Sequence, residues 1–187
     1  MIFPVRLQFH KGTPVRWPDF AQLFQARGGP KHCWCSVFRG VPKERATPAL
    51  KKALIQGRIE RGEPVGILGY LDGRPVAWCS VAPKSTFARL GDVEDDDVEP
   101  DDIWSITCFF VPQELRGNGL MPQLIHAAVA QEKAHGARVV EAYPIAASSP
   151  SYRFMGFVPA FERERFQEVG RAGIRRHIYR RALRPQE

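Results

Sequence analysis

Residues 113–121 read Gln-Glu-Leu-Arg-Gly-Asn-Gly-Leu-Met, a stretch whose residue types suit a phosphate group. An apolar run, residues 103–111, leads in, and a helical pattern, residues 122–135, leads out. A short glycine-rich loop between a strand and a helix aims free backbone N–H groups and the positive end of a helix dipole at one point. A phosphate or pyrophosphate is bound by that geometry. Gly117 and Gly119 let the backbone approach such a guest, and Pro122 suits the first helical turn, where its missing N–H costs nothing. The same two glycines also make an ordinary strand-to-helix turn, so the loop alone leaves both readings open.

Other residues can move protons or acyl groups. Glu141 lies inside an apolar strand-like run, residues 138–143, with Val139 and Tyr143 on its face by alternation. A carboxylate there can take a proton, directly or through water, bind a cationic group, or pair structurally with Arg138. Asp101 and Asp102, entering the preceding run, are the next candidates for a base. Cys33 and Cys35 could chelate a metal or form a redox pair. A metal site needs about four ligands, and His10 and His32 do not complete one, so core packing is expected and no metal. In a strand their side chains would share one face, with Trp34 opposite. Cys108 could accept an acyl group, or serve as a pocket or core thiol. The five histidines have no catalytic spacing.

Arg116-Gly117-Asn118-Gly119-Leu120-Met121 resembles the Arg/Gln-x-x-Gly-x-Gly/Ala signature of the GNAT N-acetyltransferase superfamily, with Met121 at the position usually held by Gly or Ala. Tyr152-Arg153-Phe154-Met155-Gly156-Phe157 resembles the same family's Tyr-x-x-x-Gly-Phe. The strand–loop–helix–strand order between them matches too, and the resemblance covers roughly residues 64–183. The segments around Cys33-Trp34-Cys35, residues 78–83 and residues 139–144 look like one uncharacterised bacterial branch. The resemblance implies acetyl-CoA as co-substrate. Its pyrophosphate would lie on the backbone of Arg116, Gly117, Asn118, Gly119, Leu120 and Met121, and its pantetheine along Phe109, Phe110 and Val111. One of those N–H groups would polarise the thioester carbonyl. Tyr152, four residues before Gly156, would protonate the departing thiolate, and Glu141 is the first candidate for the base. The implied reaction is acetyl transfer to a primary amine, a small cationic acceptor, by direct attack in a ternary complex. A larger Met121 and the lack of an obvious base keep a second reading open: a GNAT-fold module that binds acyl-CoA without turnover.

Elements that would hold these residues can be placed by pattern. Val5, Leu7 and Phe9 alternate with polar residues as in a half-buried strand. A helix from Thr13 and Pro14 carries Phe20, Leu23 and Phe24 on one face. Residues 33–38 are apolar and β-prone. Residues 48–61 have helical spacing, with Leu50, Leu54 and Ile55 inward. Residues 65–71 and 75–81 flank Asp72-Gly73, a strong hairpin signal. After residues 103–143 come a short helix near residues 151–155 and strands around residues 157–161 and 173–182. The expected fold is α/β: a GNAT-like mixed, mostly antiparallel central sheet with helices on both faces. One domain spans residues 1–187, with acceptor-side elements in residues 1–63 and the core and CoA site in residues 64–183.

The 187 residues can bury a real core, and 44% hydrophobic with 25% charged content is ordinary for a globular domain. No apolar run is long enough to span a membrane and no signal peptide is visible, so the expected location is cytoplasmic, with reduced thiols. The net charge of +7 hides an asymmetry: residues 91–102 hold eight of the 20 acids and no base. That run could steer a cationic acceptor, or simply be solvated. Eight arginines follow Ala160. With no nucleic-acid-binding motif beside them, they read as a solvated hairpin face. The expected partner is a small-molecule amine, with no nucleic acid or membrane, on a monomer or homodimer.

Overall fold

A computed structural model describes residues 6–42, 44, 46–93 and 98–183. Val5, Glu94, Asp95, Asp96, Asp97 and Arg184, singled out above, lie outside the described residues. Among those described, a seven-stranded sheet carries the fold. Its strands are β1 (Gln8–Lys11), β2 (Ile67–Leu71), β3 (Arg74–Pro83), β4 (Ile103–Phe110), β5 (Val139–Ala142), β6 (Gln167–Ala172) and β7 (Arg176–Ala182). The spatial order is β1-β2-β3-β4-β5-β7-β6, and only β4 and β5 run parallel. The helices are α1 (Trp17–Gln25), α2 (Pro48–Glu60), α3 (Leu120–Ala134) and α4 (Val158–Arg163). The mixed, mostly antiparallel sheet is the one expected.

Two apolar cores sandwich this sheet. One gathers Ile106, Phe109, Leu124, Ile125, Ala128, Val140 and Phe161 under α3. The other gathers Phe20, Leu23, Phe24, Trp34, Ile55, Ile59 and Trp78 under α1 and α2. Phe20, Leu23 and Phe24 face inward as their spacing predicts. The Asp72-Gly73 hairpin also holds: both residues have the positive φ, 48° and 76°, that a tight two-residue turn requires.

Three local expectations need correction. Residues 33–38 form turns rather than a strand, and Trp34 and Cys35 are both left-handed, at φ 44° and 56°. Residues 158–163 are helix, with Pro159 seated in the first turn of α4. In α2, Ile55 and Ile59 are the buried pair, while Leu54 is exposed and Leu50 half-buried.

One irregularity in the sheet matters most for function. Val81 faces Ile106 and Ser80 faces Cys108, so Thr107 is the extra residue of a β-bulge. On the opposite side, β5 pairs with β4 from Ile103↔Val139 to Ile106↔Ala142 and stops. Residues 107–110 of β4 therefore keep β3 on one flank and have no strand on the other among the described residues.

Candidate active site

The open flank of β4 lines a cavity of about 660 Å³. Thr107, Cys108, Phe109, Phe110 and Val111 form one wall. Leu115, Arg116, Gly117, Gly119, Leu120, Met121 and Pro122 form a second, Arg153, Phe154 and Phe157 a third, and Pro30, Cys33, Cys35, Val37 and Phe38 complete it. Most of the residues singled out by the two motifs thus share one cleft. Among the described residues no carboxylate or imidazole belongs to its lining, and Arg116 and Arg153 are the only charged residues there.

The loop leading into α3 fits an anion. Gly117 and Gly119 take φ values of 81° and 70°, and a Cβ at either would meet nothing within 4 Å, so the space above them is open. Gly119 caps α3 with no side-chain hydrogen bond, which leaves the first N–H groups of the helix for a guest. The loop is held by its own side chains. Arg116 Nε donates to the Val111 carbonyl at 2.9 Å. Asn118 Nδ2 donates to the Leu115 carbonyl at 3.0 Å. Asn118 is thus a brace, and its side chain is not part of the cleft wall. Met121 turns into the core, its Sδ lying 3.4 Å from where a Cβ on Gly156 would sit. It does not crowd the loop.

Gly156 explains the second motif. Its φ is 85°, and a Cβ there would meet Phe161 at 2.9 Å and Phe109 at 3.3 Å. The residue lets the crossing chain press against β4 beside the cleft. Tyr152 is left-handed at φ 60° and 38% exposed, one residue from the cleft wall at Arg153. Its ring lies 5.5 Å from the Arg176 guanidinium. Among the described residues no hydrogen bond engages its hydroxyl.

Glu141 is not brought to the cleft. It is fully buried, with Oε2 2.7 Å from Arg180 Nε and Oε1 2.9 Å from Lys84 Nζ. The Tyr143 hydroxyl also donates to it. Burial and this carboxylate both push the Tyr143 hydroxyl well above its ordinary value. Two cations and a phenol hold Glu141 as a buried, paired carboxylate outside the cleft lining. Arg138, the partner expected from sequence, pairs instead with Asp102 at 3.5 Å. Arg180 sits directly across from Glu141 in the β5–β7 register, a pairing hidden until the strand order is known.

Sequence reasoning missed Arg39. Its guanidinium is buried: Nη2 donates to the Val65 carbonyl at 3.0 Å and to Ser80 Oγ at 3.3 Å. No motif marks it, since an arginine in a loop ordinarily faces water. All four cysteines are free, and no group of three or more His, Cys, Asp or Glu side chains could hold a metal ion among the described residues.

Comparisons with known proteins agree with this geometry. Curated protein sequences give no match. Solved structures match over nearly the whole chain. An N-acetyltransferase from Staphylococcus aureus Mu50 matches with a TM-score of 0.58 at 12% identity, covering 96% of this chain and 99% of its own. Aminoglycoside acetyltransferase AAC(6')-Ib, solved with coenzyme A, gives 0.59 at 14% identity, with 95% of both chains covered. The PaiA N-acetyltransferase from Thermoplasma acidophilum, also solved with coenzyme A, gives 0.56 at 10% identity, covering 95% and 99%. At such identities these likenesses speak for the fold. The family model described as the acetyltransferase (GNAT) family matches residues 22–157, which include the open flank of β4, the Gly117–Gly119 loop and Gly156. On that match, the chain belongs to the acetyltransferase (GNAT) family.

Proposed function

We propose that the chain is an acetyl-CoA-dependent N-acetyltransferase that moves the acetyl group to a primary amine by direct attack in a ternary complex. One observation carries the reading: the unpaired flank of β4 runs straight into an uncapped helix N-terminus with open space above its glycines. An extended amide chain ending in a pyrophosphate matches both features in turn. Backbone groups of Phe109, Phe110 and Val111 pair with the amides, and one N–H polarises the thioester carbonyl. The backbone from Arg116 to Met121 holds the pyrophosphate. Held in this way, thioester and amine react as neighbours rather than by chance encounter. Tyr152, one residue from Arg153 in the cleft wall and with no hydrogen bond on its hydroxyl among the described residues, gives a proton to the leaving thiolate. The preference for a cationic acceptor rests on the acidic run of residues 91–102, since the cleft lining holds no carboxylate among the described residues.

Calorimetry with CoA and acetyl-CoA tests the first half: saturable binding of both is expected, and absence of binding overturns the reading. Thiol release with a panel of amines tests the second; binding without release would make the protein a carrier or sensor of acyl-CoA. Tyr152→Phe is expected to lower turnover about 10- to 10⁴-fold, the range of general acid–base effects, with acetyl-CoA affinity kept. Full turnover in that variant removes Tyr152 from the reaction.

A further inference from the structure

Arg39 is buried deeply for a cation. It is 8% exposed, and its Nε and Nη1 have no hydrogen-bond partner among the described residues. Its guanidinium lies over the Phe87 ring, 4.4 Å from the ring centre. A buried cation with so few partners costs stability, and an apolar side chain of similar volume would pack there more cheaply. What the arginine does make are two bonds from Nη2, to the Val65 carbonyl and to Ser80 Oγ. The second leads to the cleft. Ser80 Oγ also accepts from Thr107 Oγ1 at 3.0 Å, and Thr107 is both the bulge residue of β4 and part of the cleft wall.

Counting donors and acceptors gives this chain of bonds one direction. A guanidinium only donates, so Ser80 turns its own proton elsewhere, to the Val65 carbonyl at 3.5 Å. Its lone pairs are then divided between Arg39 and Thr107, and Thr107 has to be the donor. Ser80 is fully buried and Thr107 is 2% exposed, so bulk water has little access to either. The rotamer of Thr107 is fixed by this pairing. That matters because of what the bulge does. Ile106 and Phe109 belong to the core under α3, whereas Cys108 and Phe110 pack against the core on the other face. Thr107 is where the alternation slips, and pairing with β5 ends at Ile106, the residue before it. A bulge bends its strand and increases its twist. Pinning the bulge residue therefore sets the direction in which the open flank points.

We propose that Thr107, held by Ser80 and Arg39, is a positioning residue that aims the free backbone N–H groups of β4 at the thioester carbonyl. The assignment rests on the acetyl-transfer reading above and adds no bond-making step to it. A polarising N–H must stand about 2.7–3.1 Å from the oxygen, so a small rotation of the strand forfeits the contact. The phosphate end of the ligand, held by the loop before α3, stays seated. The three side chains thus act on the reaction through the backbone.

Four variants test this: Thr107→Val, Thr107→Ser, Ser80→Ala and Arg39→Met. The measurements are kcat by thiol release with the best amine of the panel above, acetyl-CoA affinity by calorimetry, and the infrared band of bound acetyl-CoA carrying ¹³C at its carbonyl. In wild type the band is expected to move to lower frequency on binding. Thr107→Val and Ser80→Ala are expected to lower kcat about 10- to 100-fold, with affinity kept within about threefold and the band returned towards its position in water. Thr107→Ser keeps the donor and should stay within about threefold of wild-type kcat. Arg39→Met removes a buried charge, so thermal stability should hold or rise while kcat falls, the reverse of what a purely structural arginine gives. Wild-type kcat and band in folded Thr107→Val overturn the proposal. So does a fall in kcat with the band unmoved, or affinity lost in step with kcat. If neither Thr107→Val nor Ser80→Ala folds, Arg39→Met decides, and wild-type kcat there overturns it. Absence of acetyl-CoA binding by wild type is a separate outcome that removes the transfer reading and the role of Thr107 with it. An active wild type with unaffected variants removes the role of Thr107 alone.

Discussion

Glu132 shows how a residue remote from the cleft sets the stability of the whole. It lies on the buried side of α3, fully enclosed, and neither carboxylate oxygen has a hydrogen-bond partner among the described residues. Burial pushes its carboxyl up to about 9 from 4.5, with the Lys11 charge pulling only weakly the other way. The folded state therefore holds a proton that the unfolded chain gives up above about pH 4.5. Stability is expected to be unaffected by Glu132 below that pH and to decline as pH rises from there towards 9. Glu132→Met removes the buried polar group at little change of volume. It is expected to stabilise the protein by about 1–3 kcal/mol near neutral pH, more at pH 8 and least at pH 4, as read by denaturant titration. A variant no more stable than wild type at pH 8 refutes the account. Glu141 is a contrasting case: equally buried, it is surrounded by Lys84, Arg180 and Tyr143, so its charge has its partners already.

In the proposed function the loop before α3 acts through its backbone, so its test is a change of backbone freedom. Gly119→Val places a β-branched residue at φ 70° where an anion would rest. Acetyl-CoA binding is expected to weaken by about 1–3 kcal/mol as hydrogen bonds to a charged group are lost, with the fold kept, by calorimetry and circular dichroism. Unchanged affinity rules out the loop as the pyrophosphate site. This loop was legible in the sequence because glycine spacing encodes a conformation directly. Residues 33–38 were not. A buried apolar turn and a buried apolar strand have the same composition, and nothing local announces that Trp34 and Cys35 both turn left-handed. In α2 the stripes Leu50/Leu54 and Ile55/Ile59 have equal spacing, and only packing against α1 and the sheet selects the second. For residues 157–161 a signal existed: Pro159 argues against a strand interior and suits a helix start. Glu141 was visible as an oddity in a strand, but its partners come from Lys84, 57 positions back, and from Arg180 across β7.

At the scale of the molecule, charge and edges decide what can approach. The chain carries a net +7, with eight of its acids gathered in residues 91–102, so the remainder is strongly basic, and under the proposed function it would attract the nucleotide end of CoA. Raising salt from 0.1 M to 1 M shortens the screening length from about 10 Å to about 3 Å. Acetyl-CoA affinity is expected to fall several-fold over that range while acetyl-pantetheine, which lacks the phosphates, changes little. Equal salt responses refute electrostatic capture of the nucleotide. Several tail arginines are already engaged: Arg176 donates to the Leu90 carbonyl, Arg181 to the Glu164 carbonyl, and Arg180 is paired with Glu141. The hairpin they occupy is less a solvated face than its sequence suggests. The flank that β5 leaves bare on β4 has a further consequence. Unsatisfied strand edges usually invite a neighbouring chain and, with it, fibrils. Here the bare stretch lines a cleft whose walls include Leu120, Arg153 and Phe157, rather than an open rim of the sheet. In the proposed reading, a thin, nearly side-chain-free amide thread takes the place of that neighbouring chain. A guest that pairs with this flank should slow hydrogen–deuterium exchange at residues 107–110 by completing the sheet.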